Sequence, residues 1–426
     1  MNVLVIVLFV SFIFSLMVGI PVAYSLGLSS FIYLLLAGID LFALPQKIYG
    51  GMDSFVLLAI PGFVLAGNLM NVGGITQKIV DFGDKLFGHI RGGMGFANIG
   101  SSMIFAGISG TAVADTASIG GVMIPAMKKS GYDSDYACAI TAASSTIGPI
   151  IPPSIPMIIA GTLTGISVGK LFIAGMIPGI LIGVFQMVIN GYMAKKRNYP
   201  KGNIASLGEM FKSFRSAFWA LLMTVIILFG ILGGIFTPTE AAIIAVLYAL
   251  CVGIFVYKEL KISMIPKLLA ESARSSASIL VLVGFANVFA WILASEKIPQ
   301  MIADGMLSLT TNKILVILLI NLLLIFVGMF METISAIVIL FPVLLVVSRS
   351  IGMPDIQFAV MAVLNLIIGL VTPPVGVCLF VAAKIGDISL IRISKAILPF
   401  LFANLIVLFL VAFYEPITLW LPSFIK

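Results

Sequence analysis

Apolar stretches of about 18 to 20 residues recur from one end of the chain to the other, separated by short polar segments. At ~1.5 Å per helical residue each can cross the hydrocarbon of a bilayer. In the first half they fall at 2–19, 22–39, 55–71, 94–127, 136–165 and 169–194. The second half gives 217–235, 239–257, 276–294, 314–347, 357–383 and 397–414. Two runs in each half depart from a plain span. The run 94–127 is too long for one crossing and is cut by the polar stretch from Ser109 to Asp115, which predicts two half-depth helices meeting at a tip, a re-entrant hairpin. The run 136–165 carries Pro149, Pro152, Pro153 and Pro156, and proline removes a donor and clashes with the preceding turn. That predicts one crossing made of two half-helices. The runs 314–347 and 357–383 are their counterparts.

The halves match in order. Pro21 aligns with Pro238, Asp115 with Glu332, Ser118 with Ser335 and Pro125 with Pro342, all at an offset of 217. Gly62-Phe63 aligns with Gly284-Phe285 at 222, then Gly148 with Gly369, Pro153 with Pro374 and Pro178 with Pro399 at 221. An ordered series at nearly constant offset predicts one unit written twice, 1–215 and 216–426. Each unit has five crossings and a hairpin. An odd number inverts the second unit relative to the first, the plan of secondary transporters.

Composition fits an all-α polytopic membrane protein: 61% of the 426 residues are hydrophobic and 10% charged. The opening run lacks a basic leader and a small-residue cleavage site, so it is expected to remain as the first helix. Charge sets the orientation. With the N-terminus outside, the inner loops 71–93, 128–135, 195–215, 258–275 and 384–395 hold 18 of the 24 lysines and arginines. That agrees with the basic bias of cytoplasmic loops and places both termini in the periplasm. The net charge of +7 therefore reflects topology and not a nucleic-acid surface. The stretch 75–91 reads as an interfacial helix with Ile75, Ile79, Phe82 and Leu86 on one face, and the lone histidine, His89, at its surface. Cys138, Cys251 and Cys378 follow no metal or redox spacing and are expected to be free and buried.

The candidate chemistry sits at the tips and breaks. A helix broken inside the membrane exposes carbonyls at the end of its first half and N–H groups at the start of its second, one suited to a cation and the other to an anion. The first tip and break offer Ser109, Thr111, Asp115, Gly148 and Pro149; the second offer Gly328, Glu332, Thr333, Thr372 and Pro374. Hydroxyl, carboxylate and carbonyl oxygens are hard ligands, which points to two sodium ions, one per unit, and no transition metal or other cofactor. Thr116, Ser154, Ser335 and Asn365 are candidates for the substrate.

A single proline in a span is often only a kink. Two breaks at matched positions, each facing a polar tip with an intramembrane acid, argue against that reading. Asn98, like Asn365, is as well explained by bonding between helices. A zinc protease needs two histidines, and no phosphate-binding Lys-Ser/Thr loop is present for ATP. A plain channel remains an open alternative, though it needs no occluding hairpins, and a structural scaffold would not need paired polar tips at mid-membrane.

The tip Ser109–Pro125, the loop Lys128-Lys-Ser-Gly-Tyr-Asp133, the stretch Thr146–Pro156 and Thr372-Pro-Pro-Val-Gly376 resemble the large membrane subunit of a TRAP (tripartite ATP-independent periplasmic) transporter over nearly the whole chain. The resemblance implies an elevator-type, sodium-driven importer of an organic acid in a bacterial inner membrane. Sialic acid is the favoured substrate and a C4-dicarboxylate the runner-up. It implies two partners, a small four-helix membrane subunit, expected as a separate polypeptide, and a soluble periplasmic substrate-binding protein. A stand-alone sodium-coupled carboxylate transporter of similar fold is the alternative.

Overall fold

The computed structural model describes residues 3–202, 204–310 and 312–424, with backbone alone at 108, 109, 232, 307 and 309. Among these residues the regular structure is helical, apart from one isolated bridge between Arg91 and Lys201. Among the described residues seven helices are long and apolar enough to cross a membrane, or eight with the bent pair Leu390–Ala396 and Leu398–Phe413. The expectation of ten crossings is not met by helix length. Val3–Met17 and Val22–Leu36 have 15 residues each, about 22 Å of helix, and no half of a broken helix is longer than that. A polytopic, all-α membrane protein results.

Both irregular runs of each half form where the sequence breaks. Gly93–Ser109 and Ala112–Lys129 meet at Gly110, whose φ of +64° suits a residue without a side chain. Lys313–Phe330 and Thr333–Ser350 meet at Met331 and Glu332. The arms run to 17 and 18 residues, roughly 26 Å each, so they reach deeper than half-depth arms would. Ser134–Ser144 and Ile155–Thr164 flank the first break, and Asp355–Gly369 and Val377–Gly386 the second. Every residue from Tyr136 to Gly161 is buried, as is every residue from Gln357 to Thr372. Protein, not lipid, covers the backbone that the prolines free, which is the condition for such a break at membrane depth.

The packing falls into two groups. In the hairpin group, the second half of each broken helix crosses to the other hairpin. Val377–Gly386 lies on Ala112–Lys129, and Ile155–Thr164 lies on Thr333–Ser350. Lys128 Nζ of the first hairpin donates to the Gly386 carbonyl at 2.9 Å, and Gly386 also lies against the first broken helix, where a Cβ would come within 2.1 Å of Cys138 Sγ. Val168–Lys196 and Leu398–Phe413 complete this group, joined by Gln186 Nε2 donating to Asn404 Oδ1 at 2.8 Å. In the outer group, Ile265–Ser295 packs on Val22–Leu36, Ala43–Met52 and Ala59–Val72, and Pro238–Cys251 packs on Ala59–Val72. The helix Ala43–Met52 has no counterpart in the sequence reading; Pro45, Gly50 and Gly51 interrupt its apolar pattern, and it lies against the long helix where a Cβ on Gly51 would strike Asn287.

Ile75–Phe87 touches both groups, packing on Gly93–Ser109 of the first and Ala59–Val72 of the second, and it also lies on Leu207–Leu232. Its buried face is Ile75, Thr76, Ile79, Val80 and Gly83, rotated from the expected one, with Phe82 turned to Phe214 at 5.8 Å. His89 is half-buried. Ile298–Leu309 likewise follows the long outer helix and packs on Thr333–Ser350. Cys138 and Cys378 are buried free thiols; Cys251 is exposed, against expectation, at the C-terminal end of Pro238–Cys251.

A polar clasp outside the apolar runs holds the first broken helix to the end of Val168–Lys196. Tyr132, Tyr136 and Tyr199 stack, with Tyr132 and Tyr199 at 4.4 Å, and Arg197 Nη1 donates to Asp133 Oδ2 at 2.9 Å. Burial pushes the Asp133 carboxyl up, yet the hydrogen bonds from Tyr199 and Arg197 outweigh it and hold the group below its ordinary range.

Candidate functional site at the tips and breaks

Each tip meets the break of its own half. Thr111 caps the second arm of the first hairpin, its Oγ1 accepting from Ala114 N at 3.4 Å. One turn on, Asp115 is fully buried and turned to the first break. A Cβ on Gly148 would come within 2.0 Å of Asp115 Oδ2, so the glycine is what allows the carboxylate to reach the broken helix. A Cβ on Gly110 would meet the Pro153 carbonyl at 2.9 Å. The second pair is closer: a Cβ on Gly369 would sit 2.4 Å from the Gly328 carbonyl carbon, and Gly376 N donates to Met329 O at 3.4 Å. Backbone meets backbone there because neither glycine has a side chain.

The two acids are not placed alike. Asp115 sits inside the first turn of its helix, where the N-terminal dipole favours a negative charge. Glu332 is itself the N-cap, its Oε2 accepting from Ile334 N at 2.9 Å and Ser335 N at 3.3 Å. The Glu332 side chain is exposed to a cleft.

That cleft is a cavity of about 450 Å³ where all four irregular elements converge. Thr111 and Val113 come from the first tip, Pro149 from the first break, Glu332 and Thr333 from the second tip, and Leu370 and Val377 from the second break. The fifth wall is the outer helix Ile265–Ser295, through Ser275, Ser278 and Leu282. Thr333 is 2% exposed, and its Oγ1 has no hydrogen-bond partner in the protein, a buried polar atom at the edge of the cavity.

The remaining candidates lie behind this surface. Thr116 is buried and donates to the Ala112 carbonyl at 2.9 Å. Ser154 caps Ile155–Thr164, its Oγ accepting from Met157 N at 3.2 Å and donating to Pro149 O, so it closes the break upon itself. Thr372 donates to Ile368 O at 2.7 Å. Ser335 is 8% exposed beneath Glu332, whereas Pro374 is exposed within the second break. The side chain of Ser109 lies outside the described residues. Asn365 is fully buried and donates to Asn321 Oδ1 at 2.7 Å, binding the second hairpin to its broken helix. Asn98 joins the same elements in the first half, donating to Thr141 Oγ1 at 2.7 Å and accepting from Ser144 Oγ at 3.1 Å.

The sequence reading missed Asn321, Thr141, Ser144, Gln186 and Asn404, and above all the outer wall with Ser275 and Ser278. Ser275 stands in a polar stretch just before the run 276–294 and Ser278 in its first turn, where hydropathy gives no reason to extend the helix back to Ile265.

Residues 9–417 match the family described as the tripartite ATP-independent periplasmic transporter, DctM component. The chain belongs to this family. It is therefore the large permease component of a TRAP transporter, and a transport protein. Among its relatives are the sialic acid TRAP transporter large permease protein SiaM of Vibrio cholerae, 43% identical over 95% of both chains, and the C4-dicarboxylate large permease DctM of Pseudomonas aeruginosa, 38% identical over 94% of both. The sialic acid permease SiaT of Haemophilus influenzae is 39% identical over 95% of this chain, which spans 66% of that protein. The fold is shared with the MtrF structure of Neisseria gonorrhoeae (TM-score 0.61, 14% identity, 88% and 83% of the two chains) and the YdaH transporter of Alcanivorax borkumensis (TM-score 0.59, 15% identity, 90% and 87%).

Proposed function

We propose that this TRAP permease imports an organic acid by sodium symport across a bacterial inner membrane, with a small membrane subunit beside it and a periplasmic protein delivering the substrate. The observation that carries the reading is the convergence of both tips, both breaks and one outer helix on a single cavity. In this reading 1–215 and 216–426 are inverted repeats. One sodium site takes oxygens from Ser109, Thr111, Asp115, Gly148 and Pro149, and the other from Gly328, Glu332, Thr333, Thr372 and Pro374. The substrate carboxylate lies against the capped N-termini at Thr111 and Thr333, where N–H groups and helix dipoles favour an anion without a cationic side chain. Thr116, Ser154, Ser335 and Asn365 support that surface from behind.

The hairpin group is the moving block and the outer group the fixed frame. Both groups meet in the cavity, and Ile75–Phe87 and Ile298–Leu309 tether one to the other. Both termini face the periplasm. The V. cholerae and H. influenzae relatives favour sialic acid as the substrate, with a C4-dicarboxylate next.

Proteoliposomes holding the chain with its small subunit test this reading. Uptake of labelled sialic acid should need both an inward sodium gradient and the cognate binding protein. Uptake at the same rate without the binding protein would instead favour a stand-alone carboxylate transporter of similar fold.

A further inference from the structure

Beside the main cavity lies a second recess of about 200 Å³, between the first tip and two helices of the outer group. Asn68 and Asn71, three residues apart on one face of Ala59–Val72, and Ser275 on Ile265–Ser295 form one side; Thr111 and Ser118 form the other. Thr111 and Ser275 line both spaces, so the recess adjoins the cavity. The cavity holds a carboxylate, Glu332; none of the residues lining the recess is charged.

The two amides are held. Asn68 Nδ2 donates to Ser272 Oγ at 2.8 Å, which leaves its oxygen as an acceptor. Asn71 Oδ1 accepts from Thr76 Oγ1 at 3.1 Å, which leaves its N–H groups as donors. Fixed amides with Ser118, Ser275 and Thr111 hydroxyls make a neutral surface carrying both donors and acceptors.

We infer that this recess receives the neutral, hydroxyl- or amide-bearing part of a monocarboxylate whose acid group sits in the main cavity, and that Asn71 and Ser275 set this preference. The inference rests on the transport reading. A second carboxylate in the recess would lose its water with no cation to balance it. A plain alkyl chain would leave the amides and hydroxyls unpaired, and sites built to hydrogen-bond a substituent discriminate strongly against ligands that lack it. The frame, and not the moving block alone, then reads the substrate.

The test is direct binding to the full chain with its small subunit, in sodium and without the binding protein, so that the latter's own selectivity does not enter. N-acetylneuraminate, D-gluconate and succinate are the probes. The wild-type complex should bind the first two more tightly than succinate. Ser275→Ala and Asn71→Ala should each reduce that preference about tenfold, the worth of roughly one hydrogen bond. Ser275 is exposed, so its alanine variant keeps the fold. Asn71→Lys should tighten succinate by supplying the missing cation. Succinate binding as tightly as gluconate, or a preference untouched in the alanine variants, overturns the inference while sodium-dependent binding persists. Absence of sodium-dependent binding for every probe overturns the transport reading, and the inference with it.

Discussion

At the scale of single residues the account turns on what lies against each acid. Gly148→Ala would put a methyl group 2.0 Å from Asp115 Oδ2 and displace the carboxylate without removing it. Sodium-dependent uptake at low sodium should fall at least tenfold, as in Asp115→Ala; unchanged sodium affinity in both variants would separate Asp115 from the ion. Glu332 has two tasks that substitution can divide. Glu332→Ala removes a cap serving two N–H groups and should cost about 0.5–2 kcal/mol of stability, read as a lowered melting temperature. Glu332→Gln keeps an acceptor for those donors, so it should melt near the wild type yet respond weakly to sodium. A glutamine variant with full sodium response would leave Glu332 a cap only. The acids themselves are legible in the sequence, because charged residues between apolar runs stand out. Their surroundings are not: that Asp115 reaches Gly148, or Asn321 reaches Asn365, depends on how distant segments pack.

At the scale of elements, proline and glycine mark both broken helices locally and polar residues mark both hairpin tips, which is why these four elements can be read from the chain. The crossing of each broken helix to the opposite hairpin leaves no periodic trace, and the start of Ile265–Ser295 is hidden in polar sequence. Replacing Pro149, Pro152 and Pro153 together by alanine restores the missing donors and raises helix propensity. Transport should nevertheless fall, because a closed helix turns the break's carbonyls back on itself. Normal uptake by the triple variant would make the break a packing feature. The second pair predicts a different failure. Gly369→Ala drives a methyl group into the Gly328 backbone, which cannot swing aside as a side chain can, so stability should drop by about 1–3 kcal/mol in a thermal melt. A wild-type melting temperature would show that the second hairpin is free to shift away from its broken helix.

At the scale of the whole molecule, the division into a hairpin group and an outer group gives the elevator reading its physical content. Ser278 on the frame and Ile334 on the block line the same cavity. Cysteines placed at both and joined by a short bifunctional reagent should hold the two groups in one arrangement and stop turnover, with cleavage of the linker restoring it. Uptake that continues while the link is intact would mean that the block does not move as a unit. The central claim, however, is that the tips and breaks hold coupling sodium ions, and the initial uptake rate as a function of sodium concentration tests it most directly. With two sites the rate should rise more steeply than first order in sodium and lose that steepness in Asp115→Ala, whereas a wild-type rate indifferent to sodium would contradict the account.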